Sequence, residues 1–437
     1  MGSSTENVRE IILEILLAVT RDKMYSHIVI RSTLEKYQYL EQQERKFIKR
    51  VCEGTLEHMI WIDYVIGQFS KVKVNKMKPV IRCILRSSVY ELKYMDAVPA
   101  SATCNEAVKL AQKKGFHNLK GFVNGVLRNI SRNLNSLSLP KREENPLEYL
   151  SVVYSMPLWL IKFWQKSYDL EQIEKFLEAF LTEMPVSVRV NSLRTTKEEL
   201  KKELEAEGIH VMDDESLPNA FFIENYDFLG RIPAFREGKF YVQDRSSMEA
   251  ALWAAPKRES YVLDVCAAPG GKSIHMAELM EGTGVVEARD LTERKVALIQ
   301  ENIRRCRIPN VRTAAADARI LDENHIEKAD IVLADLPCSG LGVLGKKADI
   351  KYRITEADCQ ELAALQREIL HVVRQYVKPG GILLYSTCTI NPGENEENTA
   401  WFLKEHPEFH LERQQQLLPE KGKNDGFFLA KFVKCKS

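Results

Sequence analysis

The 437-residue sequence lacks several features that would each have decided a function class. It has no C-x-x-C pair and no Cys/His cluster. Its nine cysteines stand apart at positions 52, 83, 104, 266, 306, 338, 359, 388 and 435. Without such a pattern neither a zinc site nor a disulfide framework is expected, so no metal is expected, and a reducing cytoplasm suits the thiols. No apolar run reaches the roughly 18 residues that a membrane span needs. Met1 to Glu10 carries no apolar signal core, so a cytoplasmic protein without membrane contact is expected. Strong internal repeats and low-complexity segments are also missing, and nothing requires a dimer, so a monomer is expected. What is present is ordinary for a soluble chain: 45% hydrophobic and 28% charged residues, at a length that suits two or three domains.

The net charge of +1 hides an asymmetry. Residues 1–140 hold 22 Lys+Arg against 13 Asp+Glu, whereas residues 141–437 hold 40 against 48. Most of the excess lies in 71–140, with 13 basic and 3 acidic residues. Such a block suits contact with a polyanion, nucleic acid above all, though a solvated basic face is the plainer alternative. Two groups stand out: Lys71, Lys73, Lys76, Lys78, Arg82 and Arg86, then Lys109, Lys113, Lys114, Lys120, Arg128 and Arg132.

Hydrophobic periodicity divides the chain into three regions. Residues 1–140 read as helices only, with stripes at Val8, Ile11, Ile12, Ile15, Leu16 and Val19, at Val80, Ile81, Ile84, Leu85, Val89 and Leu92, and at Phe122, Val123, Val126, Leu127 and Ile130. Stripes of this kind bury against one another as a helix bundle. The polar run Pro140 to Pro146 reads as a linker. Residues 141–240 then read as linker helices and a small α+β subdomain: a helical pattern over Trp159 to Met184, a strand over Val186 to Asn191, a helix opened by the capping-box pair Thr196 and Glu199, and short strands at Phe221 to Ile223 and Phe240 to Val242. Residues 241–437 alternate short apolar runs with helical patterns. The runs are Tyr261–Val265, Gly284–Ala288, Val311–Ala315, Ile331–Ala334 and Ile382–Tyr385. Alternation of this kind predicts a parallel sheet covered on both faces, a Rossmann-like α/β domain, closed by an apolar strand over Phe427 to Val433 after the Asp425-Gly426 turn.

The loop after the first of these strands is Asp264-Val265-Cys266-Ala267-Ala268-Pro269-Gly270-Gly271-Lys272-Ser273. A glycine-rich turn from strand to helix lets a ligand approach the backbone. A phosphate-binding P-loop needs glycine where Cys266 stands, and the dinucleotide pattern G-x-G-x-x-G is absent. S-adenosylmethionine carries no phosphate, and small residues around one tight turn suffice for it. Asp290 ends the second strand, where a carboxylate can accept from ribose hydroxyls. Asp317 ends the third, within reach of an adenine amino group. Either aspartate alone could be a helix cap or a surface charge, but the ordered set points to that cofactor.

The fourth strand ends Asp335-Leu336-Pro337-Cys338-Ser339-Gly340 and the fifth ends Ser386-Thr387-Cys388-Thr389. Carboxyl ends of strands border the ligand crevice of an open α/β sheet, so adjacent strands would bring Asp335, Cys338 and Cys388 together. A lone intracellular cysteine is usually a small buried hydrophobe. Two of them beside a carboxyl and a cofactor loop suit methylation of cytosine at C5. C5 is a poor nucleophile until a thiolate adds to C6, and an acid beside N3 stabilises the charge that develops on the ring.

These motifs resemble the RNA cytosine-C5 methyltransferase family. Its first motif is matched by Asp264 to Lys272 (DVCAAPGGK), its fourth by Asp335 to Gly340 (DLPCSG) and its sixth by Tyr385 to Asn395 (YSTCTINPGEN). Val188 to Asn191 and Val242 to Ser247 are similar to family segments ahead of the core. The resemblance implies that Cys388 is the nucleophile, that Cys338 helps release the product, and that Lys272 lies near the target base. It implies cofactor contacts at Cys266, Ala267, Ala268, Pro269, Gly270, Gly271, Lys272, Asp290, Asp317 and Asp335, and an RNA-associated segment containing Asp349, Lys351 and Arg353. Departures are Gly393 where glutamate is common, Leu336 for a more usual alanine, and Lys347-Ala348 where a proline often stands.

The N-terminal region resembles the antitermination factor NusB, through Asn105 to Val108 and Gly121 to Arg128. The implied architecture is multidomain: a NusB-like all-helical RNA-binding domain over 1–140, a small RRM-like α+β subdomain over 141–240 and a Rossmann-like methyltransferase domain over 241–437. A NusB-like domain ahead of this core implies a cytosine of 16S ribosomal RNA as the target. Two alternatives stay open: the same chemistry on transfer RNA, and an RNA- or protein-binding module with an inactive core. Phosphate contacts by the basic bundle carry little sequence information and do not separate the RNAs.

Overall fold

The computed structural model describes residues 7–436. Met1 to Glu6, the start of the stretch expected to lack a signal core, lie outside the described residues. The chain forms two compact units. One comprises residues up to Leu181 together with Leu344–Ile354, and the other comprises Thr182–Val343 and the chain from Thr355 onward.

The first unit is helical. Its helices are α1 (Val8–Thr20), α2 (Ser26–Lys36), α3 (Gln42–Glu57), α4 (Met59–Phe69), α5 (Pro79–Tyr94), α6 (Ala100–Lys113), α7 (Lys120–Asn133), α8 (Pro146–Val153), α9 (Leu158–Trp164) and α10 (Leu170–Phe180). The three predicted stripes fall on α1, α5 and α7, and their apolar residues are buried together in one core. Proline opens α5 at its first turn, where a missing N–H costs nothing and the fixed φ suits a helix. The single helical pattern expected over Trp159 to Met184 is two helices. Asp169 caps α10: its carboxylate accepts the Gln172 N–H at 2.8 Å and its own N–H donates back to Gln172, so the chain restarts there.

Leu344–Ile354 leaves the α/β part of the chain and packs in this helical unit. Asp349 is buried and accepts from the Ser26 N–H and hydroxyl, at 3.2 and 2.5 Å. Lys351 is buried and donates to the Glu57 carbonyl at 2.8 Å. Arg353 lies 3.9 Å from the Tyr25 ring centroid. The expectation of RNA contact through this segment is corrected for Asp349 and Lys351, which turn inward because they satisfy polar groups of α2 and α3. Arg86, counted with the basic surface groups, is also buried, in a bidentate pair with Asp63.

The second unit holds two sheets. The smaller is antiparallel, in the order β2 (His210–Asp213), β3 (Ala220–Glu224), β1 (Val186–Val190), β4 (Phe240–Val242). It packs with α11 (Lys197–Ala206), whose Thr196/Glu199 capping box forms as the spacing predicted. After the short α12 (Pro233–Arg236) and α13 (Arg245–Ala254), the larger sheet begins. Its strands are β5 (Tyr261–Asp264), β6 (Val285–Asp290), β7 (Val311–Ala315), β8 (Ala329–Asp335), β9 (Val377–Thr387), β10 (Phe409–Leu417) and β11 (Phe427–Lys434). Its helices are α14 (Gly271–Leu279), α15 (Glu293–Cys306), α16 (Glu356–Val373) and α17 (Glu396–Glu405).

The order of the large sheet is β10-β11-β9-β8-β5-β6-β7. Strands β5 to β9 run parallel, as the alternation predicted, and β8 is buried along Ile331 to Ala334. The other edge is antiparallel, because β10 and β11 form a hairpin and β11 pairs antiparallel with β9. Strand β10 (FHLERQQQL) escapes a hydrophobicity search because it is an edge strand with exposed polar positions. The resulting fold class is the expected one: an all-helical domain, a small α+β subdomain and a Rossmann-like α/β core.

Candidate active site

The strand order carries the site. Across the sheet, β9, β8, β5, β6 and β7 present at their carboxyl ends Cys388, Asp335, the 264–273 loop, Asp290 and, two residues past the strand, Asp317. Cys388 and Asp335 therefore fall on one side of β5, and Asp290 and Asp317 on the other.

On the cofactor side the turn is tight. Gly270 sits at φ 103°, where a side chain would be strained, and its N–H donates to the Ala267 carbonyl at 2.6 Å. Ala267 N–H donates to the Arg289 carbonyl of β6 at 2.8 Å, and Ala268 N–H to the Asp290 carboxylate at 2.9 Å. Asp290 is buried and also accepts from the Leu291 N–H at 2.8 Å, with Lys295 at 2.9 Å. The loop is thus bolted to β6 through the residue expected at the ribose. Cys266 is half-buried, and burial raises its thiol pKa, so it remains a neutral wall. Asp264 donates nothing and accepts the Ser273 hydroxyl at 2.5 Å; burial pushes its carboxyl up to about 7. Asp317 lies in the loop after β7, with its carboxylate held by Arg319 at 2.6 Å.

Two large apolar side chains stand open at these strand ends. Leu291 is 56% exposed after β6 and Ile320 69% exposed after β7. Exposed aliphatic groups flanking a carboxylate, beside the start of α14, fit a nucleoside with an uncharged linkage. Sequence reading missed both, although an apolar residue directly after Asp290 was a readable signal.

On the other side, Lys272 of α14 reaches across to Asp335. Its ammonium donates to Asp335 at 2.7 Å and to Ser247 at 3.3 Å, 5.4 Å from the centroid of the Phe427 ring. Burial disfavours that ammonium, but Asp335 and then Cys388 favour it, and its pKa ends above the usual lysine value. The other Asp335 oxygen accepts the Ser386 hydroxyl at 2.6 Å. Cys338 and Cys388 come together with their sulfurs 3.3 Å apart, and Cys388 N–H points at the Cys338 sulfur at 3.3 Å. The contact with Cys388 first, then burial, raises the pKa of the Cys338 thiol. Gly342 keeps the two loops close: its N–H donates to the Cys388 carbonyl at 3.0 Å, and a Cβ there would lie 2.1 Å from the Gly426 oxygen.

The small sheet abuts this core through polar contacts within the unit. Arg189 of β1 is buried, donates to Gln243 at 2.8 Å and pairs with Glu278 of α14, the helix that follows the cofactor loop. Among the described residues no group of three His, Cys, Asp or Glu side chains is arranged to hold a metal ion.

Comparison with known proteins places this arrangement. A family model described as 16S rRNA methyltransferase RsmB/F matches residues 251–433, a NusB family model matches 6–132, and a Methyltr_RsmF/B-like ferredoxin-like domain model matches 156–227. The chain is 36% identical to a probable ribosomal RNA small subunit methyltransferase B of Bacillus subtilis, over 98% of this chain and 99% of the relative. It is 33% identical to ribosomal RNA small subunit methyltransferase B of Proteus mirabilis, over 90% of each chain. A solved structure described as PH0851 is similar at a TM-score of 0.84 and 30% identity, covering 98% of both chains. That of NSun6 from Pyrococcus horikoshii with SFG shares the fold at a TM-score of 0.60 and 24% identity, covering 65% of this chain and all of the other. S-adenosylmethionine is the cofactor of this fold, and the residues at β5 to β7 fit it. With three domain models in order and full-length relatives above 30% identity, the chain belongs to the ribosomal RNA small subunit methyltransferase B family, the RsmB/F methyltransferases.

Proposed function

We propose that this protein methylates a cytosine of 16S ribosomal RNA at C5, acting as a monomer in the cytoplasm. The observation that carries the reading is the pair of thiols, Cys338 and Cys388, 3.3 Å apart beside the Lys272–Asp335 pair. Residues 266–272, Asp290 and Asp317, with the exposed apolar Leu291 and Ile320 beside them, would hold S-adenosylmethionine, which would supply an electrophilic methyl group.

The Cys388 sulfur adds to C6 of the cytosine, and the electron pair of the C5–C6 bond moves onto C5 and the ring. Asp335, taking a proton from the Lys272 ammonium bonded to it, donates that proton to N3 and so neutralises the charge that develops there. Once C5 carries the methyl group, loss of its proton returns an electron pair that expels the Cys388 sulfur and restores the ring. Cys338, next to that sulfur, assists the expulsion. The family membership supports ribosomal RNA as the substrate, and the exposed lysines at 71, 73, 76 and 78 supply phosphate contacts.

The test combines mapping and trapping. Loss of the protein should remove one 5-methylcytosine from 16S rRNA, and wild-type protein but not Cys388→Ala should restore it. Cys338→Ala should accumulate a covalent protein–RNA band on a denaturing gel. Substantial turnover by Cys388→Ala would reject the nucleophile, and 5-methylcytosine lost from transfer RNA instead would replace the substrate.

A further inference from the structure

A buried acid without a role in the proposed mechanism lies beside the two thiols. Glu394 lies just after the Cys388 loop, in the turn before α17, and is completely buried. Its carboxylate accepts four hydrogen bonds: from the Ser339 N–H at 2.8 Å, the Ser339 hydroxyl at 2.5 Å, Asn391 Nδ2 at 3.0 Å and Gln366 Nε2 at 3.1 Å. Every one of these donors is neutral.

Four donors fill the four acceptor positions of an ionised carboxylate. A protonated acid would set its own O–H against one of them. Burial raises the Glu394 pKa, and the hydrogen bonds from Ser339, Asn391 and Gln366 act against it. An uncompensated buried carboxylate costs several kcal/mol unless it is well hydrogen-bonded, so a group kept this way has a use.

Its position supplies one. Ser339 follows Cys338 directly, and its hydroxyl, committed to Glu394, can accept from Thr389 Oγ1 at 2.7 Å. Thr389 follows Cys388 directly. A chain of hydrogen bonds therefore runs from the residue after one cysteine, through the residue after the other, to Glu394. Gln366 of α16 adds a second hold, donating also to the Pro337 carbonyl at 2.9 Å, and Tyr385 donates to Gln366 at 3.0 Å. The Cys338 thiol is pushed up by its contact with Cys388 first, then by burial, and Glu394 adds to the same direction.

We propose that Glu394 is a positioning residue of the two-thiol site: one buried carboxylate that pins the Cys338 loop to the Cys388 loop and sets its charge on the Cys338 side, through Ser339. The proposal rests on the reading that Cys388 attacks and Cys338 assists release. In it, Glu394 keeps the releasing cysteine a neutral thiol beside the attacking one. Glu394 touches neither substrate nor cofactor.

The test is Glu394→Gln in the full-length protein. The amide keeps the volume but turns an N–H₂ toward two of the four donors and removes the charge. Iodoacetamide labelling between pH 6 and 9, followed by mass spectrometry of each cysteine peptide, needs no turnover. Wild-type protein should label Cys388 at least tenfold faster than Cys338 at pH 7.5. Glu394→Gln should narrow that ratio to within about threefold by raising Cys338 labelling. With RNA, it should lower kcat about tenfold or more, leave the KM for S-adenosylmethionine unchanged, and accumulate the covalent band. An unchanged labelling ratio with wild-type kcat would overturn the proposal. If Glu394→Gln does not fold, Ser339→Ala breaks the hydrogen-bond chain but leaves the charge; it should lower kcat with the labelling ratio retained, and wild-type kcat there would overturn the pinning role. A labelling change in Glu394→Gln alongside a fully active Cys388→Ala would leave Glu394 standing and remove the mechanism it serves.

Discussion

Cys338 and Cys388 are the same side chain in different surroundings, and surroundings decide reactivity at the residue scale. The same rule applies to Asp264, whose carboxyl burial pushes to about 7. Its unfolded value is near 3.9, so between about pH 4 and 7 the folded chain binds more protons than the unfolded one. Its contribution to stability therefore falls as pH rises through that window. Asp264→Asn keeps a partner for the Ser273 hydroxyl and removes the penalty. Its unfolding free energy should match wild type near pH 4.5 and exceed it increasingly up to pH 8, by about 1–3 kcal/mol at the plateau. A constant difference across that range would show that Asp264 is ionised throughout.

At the scale of elements, Leu344–Ile354 shows how a short segment takes its role from its packing. Lys351 is buried, and burial pulls its pKa down to about 7 against an opposing pull from Glu57. Unfolded lysine titrates near 10.4. Between about pH 7 and 10 the unfolded chain binds more protons, so this group's contribution to stability rises with pH in that window and is least favourable below pH 7. Lys351→Met should therefore be more stable than wild type at pH 6.5, with the advantage shrinking toward pH 9.5, where only the lost bond to the Glu57 carbonyl remains. Thermal melting of both proteins at the two pH values measures this, and an advantage that grows with pH would contradict it. The strand ends were legible because the chemistry there is local: Cys388 and Asp290 follow their apolar runs within three and two residues. Glu394 was not legible, because its partner Ser339 lies 55 residues away. Edge strand β10 was not legible either, since a half-solvated strand lacks the apolar run that marks the buried ones.

At the scale of the whole molecule, the basic block and the α/β core divide binding from chemistry. Lys71, Lys73, Lys76 and Lys78 are exposed, whereas Arg86 is spent on Asp63 inside the helical unit. Changing the four lysines to alanine should weaken RNA binding and flatten its dependence on log salt concentration by about 3, at roughly 0.7–0.9 per phosphate contact. Melting temperature should be unchanged. An unaltered salt slope would make this block a solvated face. What the sequence by itself determined was the fold class and the residues at each strand end, because hydrophobic periodicity and strand-to-helix loops are properties of neighbours in the chain. Only the tertiary structure decided which of those ends are adjacent, that Asp349 and Lys351 turn inward, and that one buried carboxylate joins both cysteine loops. Those facts depend on which distant segments share a dielectric and a hydrogen bond, and no local pattern encodes that.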